Sequence, residues 1–463
     1  MEGFSLNQAI AAMGGEWVSD QDPAEIWPTG GVIDSRAIEQ GDIFFALPGE
    51  KVDGHQYVDA ALKAGASAAV VSRKWFDSKD QVRGKRLIVT ANPERAMGDL
   101  ARVYRKQFKI PVIGITGSNG KTTTKDMVAA VLATRYTVLA TQGNLNNHLG
   151  VPMTLFRLAA RHEVAVIEMG ISGHGEMTYL CEIAQPTIGI ITNVGPTHLE
   201  FLGSVEGVAK AKGELLEYLD ESSMTILNLD DLLLSKERVK VKGRLLGFGI
   251  ERYSQFRGEG LHLDQGRRGH FTLQGRFFSL SVPGRHNVYN ALAAAAAGVA
   301  LDVPLEDAAK VLAHFAPTKL RSQVLTHKGL RLVNDSYNAN PGSMAAALDI
   351  LTDMMGPEGG RRIAVLGDMR ELGLTTEQAH RDLGALAASS ADALFALGSN
   401  AHLVVGAAQA AGLARDMSFE FTCQETLIQA LKDFIGPGDT LLVKGSRGLA
   451  MERIAESLGF TAE

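Results

Sequence analysis

The chain has 463 residues, 45% of them hydrophobic and 21% charged, a soluble globular balance too long for one ordinary core, so two or three domains are expected. Its 46 basic and 52 acidic residues are interspersed to a net charge of −6, leaving no basic footprint for nucleic acid or an anionic membrane. The start lacks a signal-like basic and apolar pair of regions and no uncharged apolar run reaches a membrane span, so a cytoplasmic protein without membrane insertion is expected. Cys181 and Cys423 stand far apart without metal-ligand spacing, and both read as buried small hydrophobes.

In chain order, residues 1–108 combine strand-like runs at 41–49 and 66–72 with a helical stretch at 57–65, a small α/β module closed by an amphipathic helix over 92–108. "IPVIGIT" (110–116) reads as a short buried strand and "KTTTKDMVAAVL" (121–132) as the helix after it. Further strands are expected at 163–170, 187–195 and 224–231, the βα rhythm of a mostly parallel sheet. Residues 244–283 alternate over short glycine-punctuated runs and predict antiparallel strands on the edge of that sheet. Helices at 285–301 and 305–315 end the unit 109–315. Beyond Pro317, buried runs at 361–369, 393–399 and 439–446 each end in glycine before a helix, which predicts a Rossmann-like, doubly wound third domain over 316–463.

The chemistry concentrates after the strand at 110–116. "GSNGKTTT" (117–124) lacks the leading glycine of the strict phosphate-loop pattern but keeps its physical parts. Gly117 and Gly120 let backbone N–H groups approach an anion at a helix start, Lys121 supplies a cation for the β/γ-phosphates, and Thr122 a hydroxyl for Mg²⁺. A nucleoside triphosphate is the expected ligand. Glu168, at the carboxyl end of the next buried strand, stands where Mg²⁺ needs an oxygen. His198, in the loop "TNVGPTHLEFLGS" (192–204), reads as a solvated loop histidine by itself and as a metal or substrate contact beside Glu168. Lys210 and Lys212 read as surface helix residues. The alternative for Lys212 is a neutral amine that captures CO₂ as a carbamate, an anionic oxygen ligand. Asn287 and Asn290, three apart on one helix face, suit either an adenine edge or, for Asn287, helix capping. Arg321 and the aspartate of "NDSYNANPGSM" (334–344) arrive from a separate domain, as a phosphate clamp and ribose contact that closes with the domains would require. Ser35 and Arg36, with Asp53 and His55, read as two polar turns around the strand at 41–49.

Taken together, "TGSNGKT", "IEMG", "TNVGPTHLEFLGS", "GRHNVYNALAA" and "NDSYNANPGSM", in this order, resemble the Mur ligase family of ATP-dependent amide-forming enzymes of peptidoglycan precursor synthesis, over essentially the whole chain. The family's own loop has the T-G-x-N-G-K-[ST] form, so the missing glycine is no defect. "NLNNHLGVPMTL" (144–155), "DSYNANP", "VLGDMRELG" (365–373) and "VKGSRGLAMERI" (443–454) look like the family member that adds D-alanyl-D-alanine to UDP-N-acetylmuramoyl-tripeptide. The resemblance implies that Gly117, Ser118, Asn119, Gly120, Lys121, Thr122 and Thr123 hold ATP. It also implies that Thr122 and Glu168 hold one Mg²⁺ and His198 with a carbamylated Lys212 a second, that Asn287 and Asn290 contact adenine, and that Arg321 and Asp335 take phosphate and ribose. Ser35, Arg36, Asp53 and His55 match the region used for the UDP-sugar end, which assigns 1–108 to that substrate, 109–315 to ATP and 316–463 to the dipeptide. Asn144, Asn146, Asn147 and Asn338 fall in the member-specific motifs and are implied substrate contacts. A monomer working through an acyl phosphate is expected. The rivals are another ligase of the same architecture, adding the third residue, and a folylpolyglutamate synthetase. The absence of a "DNPR" motif counts against the first, and the N-terminal module against the second. A nucleotide-dependent binding protein without a ligase step is the rival of a different class.

Overall fold

Four sheets organise the protein, a computed structural model that describes residues 1–49, 52–79, 85–354 and 360–460. The first carries strands β1 (Glu16–Val18), β2 (Gly31–Val32), β3 (Ile43–Phe45), β4 (Ala68–Ser72) and β5 (Leu87–Thr90) in the order β1-β5-β4-β3-β2, with β1 antiparallel to an otherwise parallel set. Its apolar runs are buried on both faces because helices cover both sides, as parallel pairing requires.

Strands β6 (Val112–Thr116), β7 (Val138–Ala140), β8 (Val164–Glu168), β9 (Ile188–Ile191), β10 (Met224–Asn228), β11 (Arg244–Gly249) and β12 (Phe256–Arg257) form a parallel sheet in the order β12-β11-β10-β9-β6-β8-β7. The chain leaves β6 in one direction and returns to its other side at β9, so β6 lies at the switch point, and the crevice beyond its carboxyl end is open to a ligand. The antiparallel edge expected for 244–283 is corrected here. Residues 244–257 extend the parallel sheet, and only β13 (Glu259–Leu263), β14 (Arg268–Leu273) and β15 (Arg276–Pro283) are antiparallel, in a separate sheet packed through Phe271 and Phe278 on the helix Arg285–Ala300. The run Ala293–Ala297 is fully buried in that packing, since small side chains let the helix approach its neighbours closely.

The third unit holds β16 (Gln323–His327), β17 (Leu330–Asn334), β18 (Arg362–Gly367), β19 (Ala393–Leu397), β20 (Ser418–Phe421) and β21 (Thr440–Lys444) in the order β16-β17-β21-β18-β19-β20. All pairs but β16–β17 are parallel, the doubly wound arrangement expected. The change of sheet near residue 108 is not a gap between cores. The helix Pro93–Arg105 buries Met97, Leu100 and Tyr104 in one apolar cluster with Phe4 and Phe45 of the first unit and Val151, Leu155 and Met177 of the second. Cys181 is buried there, which pushes its thiol pKa up. Cys423 departs from expectation: it is exposed, and its Sγ donates to Glu425 Oε2 at 2.7 Å. Among the described residues no helix is long and apolar enough to cross a membrane.

Candidate functional site

The sheet delivers β6 into the glycine turn and then the helix Lys121–Leu132. Gly117 has φ +150°, and a Cβ there would lie 1.9 Å from Thr192 Oγ1; Gly120, φ +80°, begins the helix against the Asn290 carboxamide. The loop is held open by its neighbour strand, since Asn193 accepts from Ser118 N through its carbonyl and from Asn119 N through Oδ1, both at 2.9 Å, and Thr192 Oγ1 donates to Asn119 O at 2.6 Å. Lys121 Nζ donates to Gly117 O at 2.7 Å and Ser118 O at 3.3 Å, and burial lowers its pKa against the pull of Glu168. Thr122 is buried and Thr123 half-buried at the helix start.

Register pairs Glu168 on β8 with Ile115 on β6, beside the loop. Glu168 is 1% exposed; its Oε1 accepts from Asn146 Nδ2 at 2.8 Å, while Oε2 is buried without a hydrogen-bond partner among the described residues. A carboxylate oxygen left dry and unsatisfied next to a phosphate loop is a ligand position for a hard cation. His198, φ +53°, opens the short helix Leu199–Leu202, and its Nδ1 lies 2.5 Å from Glu371 Oε2. Burial, with Lys121 and Lys212 nearby, holds its pKa below the usual range despite that carboxylate.

The helix Val205–Tyr218 turns Lys210 outward and Lys212 inward. Lys212 is 1% exposed, with no hydrogen-bond or ion-pair partner among the described residues, and burial followed by the positive Lys121 lowers its pKa well below that of an ordinary lysine. A neutral, desolvated amine is the form that can take up CO₂. Among the described residues no three carboxylate, histidine or cysteine side chains cluster as a ready-made metal site.

Opposite stand the helix Arg285–Ala300 and the third unit. Asn287 is inside the first turn and not at the cap, which is Gly284. It donates to Pro283 O at 2.7 Å and accepts from Asn290 Nδ2 at 2.9 Å, and Asn290 Oδ1 accepts from Thr124 at 3.1 Å. The Arg321 guanidinium lies 4.1 Å from the Tyr337 ring centroid. Asp335 is ion-paired with Lys444 and accepts from Ser322 N at 2.9 Å, while Asn338 O accepts from Lys444 Nζ at 3.0 Å. Asn340 Nδ2 crosses to Asn119 Oδ1 at 2.7 Å, joining the third unit to the phosphate loop. A cavity of about 650 Å³ lies between them, lined by Ser118 to Thr123, Asn144, Asn146, Asn147, Glu168, His198, Asn287, Asn290, Arg321, Asp335 and Asn338.

Six expected residues do not line the cavity: Gly117 lies one residue short of the lining, Lys212 is buried behind it near Lys121 and His198, and Ser35, Arg36, Asp53 and His55 lie in the first unit. Arg36 pairs with Asp34 at the exposed turn Ser35–Ala37, and Asp53 caps the turn Gly54–Tyr57. His55 is buried, its Nδ1 donating to Asp53 at 2.6 Å and its Nε2 accepting from Ser72 N at 3.0 Å. Two implied substrate contacts also have structural duties, Asn146 to Glu168 and Asn147 to Leu149 N and Gly150 N. Asn193, His286, Tyr337, Asn340 and Lys444 line the cavity without having been singled out. Asn193 and Tyr337 lie in loops just after strand ends, His286 two residues after Gly284, Asn340 at a helix cap before Pro341, and Lys444 at the end of its strand, which are the local signals that mark them.

This architecture of a phosphate loop at a parallel-sheet switch point, closed by a second α/β unit, is that of an ATP-dependent ligase, and the comparisons agree. The Mur ligase family catalytic domain matches residues 29–113, the Mur ligase middle domain 115–298, and the Mur ligase glutamate ligase domain 320–447. The chain belongs to the Mur ligase family. It is 38% identical over 435 residues to the UDP-N-acetylmuramoyl-tripeptide–D-alanyl-D-alanine ligase of Bacillus subtilis, covering 93% of each. Among solved structures it is similar to MurF from Acinetobacter baumannii (TM-score 0.88, 32% identity, 98% of each chain). It is also similar to the MurF ligase from Thermotoga maritima in complex with ADP (TM-score 0.79, 27% identity, 92% of this chain and 96% of that one).

Proposed function

We propose that this cavity joins D-alanyl-D-alanine to UDP-N-acetylmuramoyl-tripeptide at the expense of ATP, completing the peptide of a peptidoglycan precursor. The observation that carries the reading is the convergence of the phosphate loop and Glu168 with Arg321, Asp335 and Lys444 of the third unit on one cavity, in a chain similar over nearly its full length to ligases of that activity. Lys121 and Arg321 take the triphosphate, Asn287 and Asn290 the adenine and Asp335 the ribose. The first unit takes the UDP-sugar through the turns at Ser35–Arg36 and Asp53–His55, and the third takes the dipeptide.

Glu168 Oε2, the Thr122 hydroxyl and the free ring nitrogen of His198 at the cavity, with Lys212 as its carbamate buried near His198 and Lys121, fit two Mg²⁺ ions. Such ions supply neutralisation of phosphate charge when bound. A carboxylate does not acylate an amine in water, so a terminal oxygen of the tripeptide carboxylate attacks the γ-phosphorus and ADP leaves, with Lys121 and Arg321 spreading the charge of the transferring group. The dipeptide amine then attacks the acyl carbon, the amide bond forms, and phosphate departs with that carboxylate oxygen while the amine gives up its proton. Contact between the units excludes water from the acyl phosphate. Phosphate release by the purified protein with a panel of UDP-muramoyl peptides and amino acids or dipeptides tests this. Release that requires both the tripeptide and D-alanyl-D-alanine is expected. ATP binding with no release under any pair overturns it.

A further inference from the structure

His198 is half-buried in the cavity wall, and the group that fixes its ring comes from the third unit. Glu371 lies in the loop after β18, with φ +61°. Its side chain meets His198 Nδ1, and its own carbonyl accepts from Glu200 N at 3.3 Å, so it grips both sides of the helix start that carries the histidine. Two residues on, Gly373, φ +55°, packs so closely that a Cβ would lie 3.2 Å from Glu200 Cα. The loop is anchored behind this contact: Arg370 N donates to Ser446 Oγ and Met369 N to His380 Nε2, both at 3.1 Å, and Asp368 accepts from Ser399 N at 2.9 Å. It thus hangs from the ends of β18, β19 and β21 of the third unit and touches the second at His198.

We infer that Glu371 is a positioning residue that fixes the His198 ring from across the interdomain seam, leaving Nε2 as the ligating nitrogen only while the second and third units are in contact. This rests on the reading of His198 as a cation ligand. A carboxylate oxygen only accepts, so Nδ1 must carry the hydrogen, and in the neutral ring Nε2 then holds the lone pair. The pair itself contributes little to stability, because Glu371 is 47% exposed. Its value is geometric, since an outer partner sets the tautomer and orientation of a ligating imidazole and its loss costs about 10- to 100-fold in metal affinity. The same loop borders the crevice between β18 and β21, so a cation ligand is set by the unit assigned to the incoming dipeptide.

The test uses the full-length protein and its Glu371→Ala, Glu371→Gln and His198→Ala variants, with Glu377→Ala, an exposed carboxylate paired with Arg381, as the control. Mn²⁺ affinity of the ADP-saturated protein is read by electron paramagnetic resonance, and the His198 tautomer by ¹⁵N NMR of the metal-free protein. Glu371→Ala should weaken Mn²⁺ about 10- to 100-fold, lose the uniform Nδ1–H tautomer, and lower kcat with KM for the sugar peptide unchanged. Glu371→Gln should recover most of this, because its amide oxygen accepts the same bond, and Glu377→Ala should match wild type. Glu371→Ala with wild-type Mn²⁺ affinity and tautomer, or Glu371→Gln as impaired as Glu371→Ala, overturns the inference. If His198→Ala itself binds Mn²⁺ as wild type does, the ligand reading of His198 fails instead.

Discussion

Replacing Lys212 by methionine separates a structural lysine from a modified one, because the two roles predict opposite signs for different observables. The side chain is 1% exposed with no hydrogen-bond or ion-pair partner among the described residues, so in metal-free, bicarbonate-free buffer the native state carries a lysine desolvated by burial, a cost of about 1–3 kcal/mol. Methionine keeps most of the volume and removes that cost, and at roughly 1 °C per kcal/mol for a chain of 463 residues the melting temperature should rise by about 1–3 °C. Burial and Lys121 depress the folded pKa, so between that depressed value and about 10.4 the unfolded chain binds the extra proton. Wild-type stability therefore gains from this group as pH rises through that window and loses it as pH falls, and the methionine variant lacks the dependence. Turnover moves the other way. Loss of an anionic oxygen ligand beside the transferring phosphoryl group should cost at least about 10²-fold in kcat, partly restored by formate or acetate refilling the position. Scanning calorimetry, phosphate release and ¹³C NMR with labelled bicarbonate are the measurements. A variant with near wild-type kcat, or active wild-type enzyme showing no carbamate signal that depends on Lys212, refutes the reasoning.

Lys121→Ala should abolish ADP formation while circular dichroism stays that of wild type, since among the described residues the ammonium donates only to the loop carbonyls of Gly117 and Ser118; near-normal turnover by the folded variant would exclude its role. Gly117→Ala combines φ +150° with a Cβ 1.9 Å from Thr192 Oγ1, so about 1–3 kcal/mol of strain should weaken ATP binding by roughly 5- to 150-fold in calorimetry. Unchanged ATP affinity would show that the loop relaxes freely. Tyr104→Phe leaves Leu158 O and Glu2 N without their partner and should cost about 1–3 kcal/mol in denaturant unfolding. Burial raises the Tyr104 pKa to about 12, above its unfolded value, so its stabilisation is complete below about pH 10 and is lost as pH rises through the folded pKa. The phenylalanine variant should lack that alkaline loss, and an identical pH profile in both proteins would contradict it.

The residues that carry local chemistry were legible because their signals are local. A buried apolar run ending in glycine before Gly-Lys-Thr specifies strand, turn and helix whatever surrounds it, and the same logic placed Glu168 at a strand end. Residues 244–257 misled, because short alternating runs with glycines pair equally well in either direction, and only their docking beside β10 makes them parallel. Cys423 misled because a lone cysteine has no pattern to say which face of its turn it occupies.

Sequence by itself therefore determined the three-part α/β organisation, the phosphate loop and Glu168 at a strand end, since period, turn chemistry and strand ends act over a few residues, while the resemblance pointed to His198, Lys212, Arg321 and Asp335. Tertiary structure alone decided which of them meet. Lys212 and Lys210 are two residues apart with the same side chain, and only the packing of their helix buries one, without a hydrogen-bond partner among the described residues, and leaves the other exposed. Glu371 and His198 are 173 residues apart, and their contact exists because β18 sits beside β21 in one unit and β9 beside β6 in another. Burial and long-range pairing are properties of the whole chain's free energy, and no window of sequence contains them.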